Sequence, residues 1–298
     1  MKKVISIIAL AGILTSCSEK IISNTTSEVQ EASEQNMENL KEIASKGFAA
    51  VFTDFSEEGV RAVIDSNYIQ HNPFVPTGRD ALIGFLPALK KSGITYTNHR
   101  MIQDGEFVVL HNSFTNAKAF GADKIVTFDI YRIKNGKVTE HWDAINPMAE
   151  KTASGRTQVD GATTIEDLDK TEANKALVTA LVEDVLMGKN PSKITEYISS
   201  EQYHQHNPNI KDGLNSIIET VQTLTKQNNM FKYTKLHKVI GEGNFVLTVS
   251  EGEWSGKKQA FYDLFRMKDG KVVEHWDIVQ EVPTEGLANT NGMFGGFN

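Results

Sequence analysis

Two identical tripeptides, His141-Trp142-Asp143 and His275-Trp276-Asp277, carry the residue types that move protons. Each follows, at a distance, a near-identical hexapeptide: YIQHNP at 68–73 and YHQHNP at 203–208. His71 precedes His141 by 70 residues, and His206 precedes His275 by 69. Together with the flanking turns NGKVTEHWD and DGKVVEHWD, these echoes define an internal repeat of roughly 135 residues.

On a β-strand, residues two apart face the same side. His141 and Asp143 therefore share a face while Trp142 points away, and His275, Asp277 and Trp276 follow suit. A carboxylate withdrawn from water binds its proton more tightly, and a neighbouring imidazolium loosens it again. That balance makes a base able to take a proton from carbon beside a carbonyl, a step worth about 10²–10⁴-fold. His71 and Asn72, with His206 and Asn207 in the second copy, would reach the pocket mouth through the Asn-Pro turn and hydrogen-bond an enolate oxygen. The bland reading is that each His/Asp pair braces a strand end. Trp142 and Trp276 read as core or interface plugs.

Asp129 and Asp263 join this face or leave it according to the hairpin turn. A two-residue turn at Asn135-Gly136 sets Phe128 and Ile130 beside Asp143 and His141, with Asp129 on the other face. A turn with a glycine bulge sets Asp129 opposite His141, because a one-residue slip inverts every side chain. The sequence KNGK suits either. His99 and His237 have no acid close by in sequence and read as structural, and His111 has Val249 at its place in the second half.

The elements that must position these groups come in the same order twice. Residues 38–55 place Leu40, Ile43, Phe48, Val51, Phe52 and Phe55 near helical spacing. A shorter helix starts behind Ser56, the Asn-Pro turn follows, and a third helix over 78–93 should break or kink at Pro87. The period then changes to that of strands, with hairpins at Asp104-Gly105 and Asn135-Gly136. The second half repeats this with helices over 171–187, 191–199 and 213–226 and hairpins around Gly241–Gly243 and Asp269-Gly270. Three helices followed by a four-stranded antiparallel meander predict an α+β fold, two tandem cone-shaped domains whose helices pack on a curved sheet. Their sheets could pack face to face as an internal pseudo-dimer.

This order of helices, QHNP, DIYR and NGKVTEHWD resembles the SnoaL-like polyketide cyclase family, of the nuclear transport factor two superfamily that includes ketosteroid isomerases. The resemblance covers residues of about 38–150 and 172–294. It implies an aspartate base acting without metal or cofactor in an intramolecular aldol closure. That base falls at Asp143 and Asp277, with His141 and His275 as polarising or proton-shuttling partners. His71, His141 and Asp143 would also match a facial metal triad, but neither half holds a thiolate and the family pocket is metal-free. The pair HQH at 204–206 could converge only on a strand. Members of the superfamily also include proteins that bind a ligand and catalyse nothing, so a non-catalytic module for an apolar or amphipathic small molecule is the competing reading.

The whole chain sets the bounds. Its 298 residues suffice for two domains, and the formal charge of −7 argues against nucleic acid as a partner. Lys2 and Lys3 precede an apolar run from Val4 to Leu14, too short to span a bilayer and suited to a signal-peptide core. The only cysteine, Cys17, follows directly in LTSC. This resembles a bacterial lipoprotein signal, which implies a signal peptide over 1–16, a tether over 17–37 and a lipid anchor in the cell envelope. The domains are then 38–154 and 172–298, with 155–171 as linker. Metabolic labelling with a lipid analogue should mark the wild type and not Cys17→Ser; equal labelling of both would remove the anchor.

Overall fold

The computed structural model describes residues 40–297, and the expected signal segment, Cys17 and the tether lie outside the described residues. The chain is helical over 40–52 (α1), where Ile43, Ala44, Phe48 and Val51 recur at helical spacing and are buried. Helix α2 (Glu57–Val63) begins at Ser56, whose hydroxyl accepts the Gly59 N–H, with Glu57 and Glu58 at the positive end of the helix. Strand β1 (Ile64–Gln70) follows directly. Helix α3 (Arg79–Ser92) ends at Gly93, whose φ of 67° suits a residue without a Cβ. The helix runs through Pro87 rather than ending there, held by the buried Leu86 and Leu89 on either side. Strands β2 (Thr95–Asp104), β3 (Phe107–Thr115), β4 (Lys124–Lys134) and β5 (Lys137–Pro147) complete the first half.

The second half repeats the order. Helix α4 (Thr171–Leu181) continues as a π-helical turn to Leu186, and α5 is only Ile194–Tyr197 behind a 3-10 turn, shorter than the spacing predicts. Strand β6 (His204–Gln205), helix α6 (Leu214–Lys226) and strands β7 (Lys232–Glu242), β8 (Phe245–Trp254), β9 (Lys257–Lys268) and β10 (Lys271–Glu281) follow.

Each half has a five-stranded sheet, in the orders β1-β5-β4-β3-β2 and β6-β10-β9-β8-β7. The meander accounts for four strands; the fifth, β1 or β6, pairs in parallel with the last strand. Asn-Pro constrains the backbone only at Asn72 and beyond, so the residues before it remain free to extend and pair. Gln70 lies opposite His141 and Gln205 opposite His275.

The β4–β5 hairpin uses a two-residue turn, with Asn135 and Gly136 both at positive φ, 52° and 73°. The register then shifts between Ile133↔Val138 and Arg132↔Glu140, which leaves Thr139 as an extra residue on β5. Beyond this bulge Asp129 faces Asp143 across the ladder. The same shift recurs at Val273, so Asp263 faces Asp277. Neither turn geometry considered from the sequence has this register: the turn is the two-residue kind, and the inversion comes from a separate bulge two residues later.

The concave face of each sheet is covered by its own helices. The other faces pack on each other through Ile102, Val109, Phe128, Ile130 and Trp142 from the first sheet and Ile240, Leu247, Tyr262, Leu264 and Trp276 from the second. Two ion pairs cross this boundary reciprocally, Lys41–Glu242 at 2.6 Å and Lys175–Asp104 at 2.7 Å. Two connecting segments cross it as well. Residues 157–162, which follow the first half, lie on Trp276, whose indole donates to the Asp160 carbonyl at 2.9 Å. Residues 291–297, which follow the second half, lie on Trp142, whose indole donates to the Gly295 carbonyl at 2.7 Å. Gly161 and Gly296 sit at positive φ where a Cβ would collide with Glu274 and Glu140 respectively, so both segments need glycine for this close approach.

A single half therefore leaves one apolar sheet face and one crossing segment without a partner. Residues 38–160 expressed alone should dimerise or aggregate in analytical ultracentrifugation. A soluble, folded monomer at high concentration would refute this account of the packing.

Candidate functional site

Parallel pairing carries the strand alternation across two segments at once. Gln70 and Asn72 fall on the same side as His141 and Asp143, facing the helices, while His71 falls with Glu140 and Trp142 on the side of the other sheet. The bulge at Thr139 brings Asp129 to the helix-facing side. Asp129, His141 and Asp143 thus converge, each buried to between 5% and 8% exposure.

The contacts within this cluster are specific. His141 Nε2 lies 3.1 Å from Asp129 Oδ1, and its Nδ1 lies 3.1 Å from Gln70 Oε1. The Asn72 amide donates to both oxygens of Asp143 at 2.9 and 2.8 Å. Asp129 Oδ2 accepts from Asn112 at 2.9 Å and from Thr127 at 2.5 Å. Gln70, Asn112 and Thr127 belong to the cluster and were not singled out from the sequence. The signal for Gln70 was available, since glutamine recurs at the same place in both hexapeptides.

The second half builds the same core with different surroundings. His275 Nε2 lies 3.0 Å from Asp263 Oδ1, His275 Nδ1 3.1 Å from Gln205 Oε1, and Asn207 donates to Asp277 at 2.7 Å. Tyr233 rather than Asn and Thr donates to Asp263, at 3.0 Å. Asp277 is more exposed than Asp143.

His71 and His206 do not join either cluster, which corrects their expected place at the pocket mouth. His71 stacks on Trp142 at 4.6 Å, with Nε2 on Glu140 at 2.8 Å and Nδ1 on the Gly292 carbonyl at 2.7 Å. His206 stacks on Trp276 at 4.5 Å, with Nε2 on Glu274 at 3.0 Å and Nδ1 on the Thr157 carbonyl at 2.7 Å. Both histidines clamp the crossing segments. His111 also lies between the sheets, 2.9 Å from the Arg100 guanidinium, which itself covers Trp276. The triad His71, His141 and Asp143 is thereby ruled out as a set, because its members lie on opposite faces. Among the described residues, the groups that could share a cation are Asp129, His141 and Asp143, or Asp263, His275 and Asp277, with ligand atoms within 4.8 Å of one another. His204 and His206 do approach one oxygen of Glu274, at 3.8 and 3.0 Å.

Electrostatics separates the carboxylates by role. Burial pushes the Asp143 carboxyl up to about 6; the His141 charge opposes this, the Asp129 charge adds to it, and the Asn72 hydrogen bond opposes it. For His141 burial works against the charged ring, but the hydrogen bond to Asp129 and the charges of Asp143 and Asp129 outweigh it and the pKa rises. Asp277 and His275 shift upward for the same reasons. The arrangement sets a carboxyl raised to about 6 beside an imidazole whose own pKa is raised, two groups placed to exchange protons near neutral pH.

Residues 46–141 match the family model described as a SnoaL-like domain. The match takes in QHNP and ends at His141, two residues short of Asp143. No curated protein matches the sequence. Similar solved structures include a candidate polyketide cyclase from Bacillus cereus, 22% identical over 36% of this chain and 74% of its own, with a TM-score of 0.32. A candidate ketosteroid isomerase from Kribbella flavida is 12% identical over 39% of this chain and 84% of its own, TM-score 0.32. A nuclear transport factor two-like protein of unknown function from Cytophaga hutchinsonii is 16% identical over 36% and 90%, TM-score 0.30.

The raised carboxyl has a consequence for stability. Its ordinary value is 3.8 and its folded value about 6, so folding takes up a proton between those pH values. The stability Asp143 contributes is greatest below that window and is lost as pH rises through about 6. Asp143→Asn, neutral throughout, should melt like the wild type near pH 4 and be more stable at pH 7.5, by roughly 1–3 kcal/mol. A variant less stable than wild type at pH 7.5 would make the charged carboxylate a structural brace.

Proposed function

We propose that the chain is a SnoaL-like acid–base catalyst of the lyase or isomerase type, acting on a small carbonyl compound. Asp143 removes a proton from the carbon beside the carbonyl, and His141 answers the negative charge that develops on oxygen. Asp277 and His275 take the same roles in the second half. The observation that carries this reading is the Asp143 carboxyl, poised at about 6 and oriented by Asn72 beside the His141 ring. A base so tuned holds its proton weakly enough to act near neutral pH and strongly enough to take one from carbon. The proposal uses no cofactor. It also places a lipid anchor at Cys17, holding both domains at the cell envelope.

One feature supports the alternative of a tethered, non-catalytic module. Phe48 and Phe52 on α1 form an aromatic cluster with Tyr96 and Phe114, ring centroids 5.0 to 6.4 Å apart, within the packed core beneath the helices, the interior that an apolar or amphipathic ligand would have to enter.

Deuterium exchange into acetone, acetylacetone and ethyl acetoacetate, followed by NMR in heavy water, separates the two. The wild type should accelerate exchange into at least one of them. The double variant Asp143→Asn, Asp277→Asn should lose at least about 10²-fold of that rate. Tight binding of a probe with no exchange would put the binding module in place of the enzyme, and an unimpaired double variant would remove both aspartates from the chemistry.

A further inference from the structure

We propose that Gln70 and Gln205 are positioning residues that hold His141 and His275 in the doubly protonated form, so that each site presents an imidazolium, not a neutral imidazole base, beside Asp143 or Asp277. The argument is one of donors and acceptors. The Asn72 backbone N–H can only donate, and it lies 2.8 Å from one end of the Gln70 amide. That end must be the carbonyl oxygen, which leaves the amide nitrogen to the Tyr68 hydroxyl at 3.1 Å. The same oxygen faces His141 Nδ1 at 3.1 Å, so Nδ1 carries a hydrogen.

The other ring nitrogen faces Asp129 Oδ1 at 3.1 Å. A bare lone pair there would repel a carboxylate oxygen, so one proton must lie between them. It could reside on Asp129 only if that carboxyl were neutral. Asp129 Oδ2, however, accepts from both the Asn112 amide and the Thr127 hydroxyl, and donors of this kind favour the ionised form. The proton therefore resides on Nε2. The charged groups acting on the ring are Asp129 on β4 and Asp143 on β5. Tyr68 on β1 and Tyr131 on β4 complete its surroundings, and burial, the largest cause in both, keeps them neutral.

Asn72 sets both halves of this device. Its backbone N–H orients Gln70, its side-chain amide binds Asp143, and its side-chain oxygen is held by the Phe74 N–H at 2.9 Å. The second half reproduces the lock atom for atom: Asn207 N–H to Gln205 Oε1 at 2.9 Å, Gln205 Nε2 to the Tyr203 hydroxyl at 3.3 Å, and Gln205 Oε1 against His275 Nδ1 at 3.1 Å. Recurrence in both halves, which share these motifs but differ at most positions between them, sets it apart from an incidental contact. This inference rests on the proposed chemistry for its catalytic meaning: a ring with no free lone pair cannot be the base, and its charge favours an enolate. The protonation state itself is independent of any substrate.

Two-bond proton–nitrogen NMR of full-length protein labelled with ¹⁵N in histidine reads that state directly. Signals of His141 and His275 are assigned by their loss in His141→Asn and His275→Asn. At pH 7 both nitrogens of both rings should show the protonated pattern. Gln70→Leu, which removes the acceptor, should lower the His141 midpoint by about one pH unit or more and leave His275 unmoved, which also reports that the fold is intact. Gln70→Glu should restore or exceed the wild-type midpoint, and Gln205→Leu should mirror the effect on His275. Neutral rings in the wild type at pH 7, or an unmoved His141 midpoint in Gln70→Leu, would overturn the proposal. Either result would leave the carbonyl-exchange outcome for Asp143 unaffected, so the two claims fail separately.

Discussion

Parallel pairing between β1 and β5 is the constraint on which the rest of the molecule depends. With Gln70 opposite His141, every alternate residue of QHN meets every alternate residue of HWD. Gln70 and Asn72 then attend to His141 and Asp143 on one face, and His71 stacks on Trp142 on the other. A slip of one residue would exchange the two sets. It would turn Gln70 and Asn72 into the seam between the sheets and His71 toward His141 and Asp143, so that Trp142 loses its stacking partner and Asp143 its donor. The strand ends at Gln70, and Pro73, with no N–H to donate, keeps the pairing from resuming beyond Asn72.

The two faces of the same strand thus have separate duties, and each has its own carboxylate. On the helix side, Asp143 is left with a raised pKa because its neighbours do not fully compensate its burial. Toward the other sheet, the burial of Glu274 is compensated. Glu274 is held down to about 2: burial opposes this, but hydrogen bonds from His206 and Arg266 and their charges outweigh it. Glu140 likewise has His71 and Arg132 as partners. Satisfied charges brace the crossing segments, and the incompletely satisfied one lies on the helix side.

Much of this was legible in the residues. Strand alternation alone separates His141 and Asp143 from Trp142, and the repeat alone implies two domains of one kind. What escaped was non-local. The Asn-Pro in YIQHNP reads as a turn, which conceals that the residues before it form a strand paired with one some seventy positions later. Without that pairing His71 is the conspicuous residue and Gln70 an ordinary one; with it their importance reverses. The place of Asp129 depended on a bulge at Thr139, and threonine carries no bulge signal of the kind glycine does. Glu140 and Glu274 recur in both nonapeptides and were legible as a repeat, but their partners come from distant segments.

The differences between the halves follow from the same geometry. The atoms that set protonation are identical: Gln, Asn, His and two Asp in each half, in the same register. The walls around them are not. Leu110 and Asn112 on β3 correspond to Thr248 and Ser250 on β8, since Leu110 pairs with Asp129 and Thr248 with Asp263. Asn112 is fully engaged, whereas the hydroxyls of Thr248 and Ser250 are buried with no partner among the described residues. Phe114 in the first wall becomes Gly252 in the second, and Thr127 becomes Phe261. An unmatched buried hydroxyl costs on the order of 1–3 kcal/mol, so the second wall carries unpaired hydroxyls where the first has Leu110 and a fully bonded Asn112. The same Gln, Asn, His and Asp arrangement is thus lined by different side chains in the two halves.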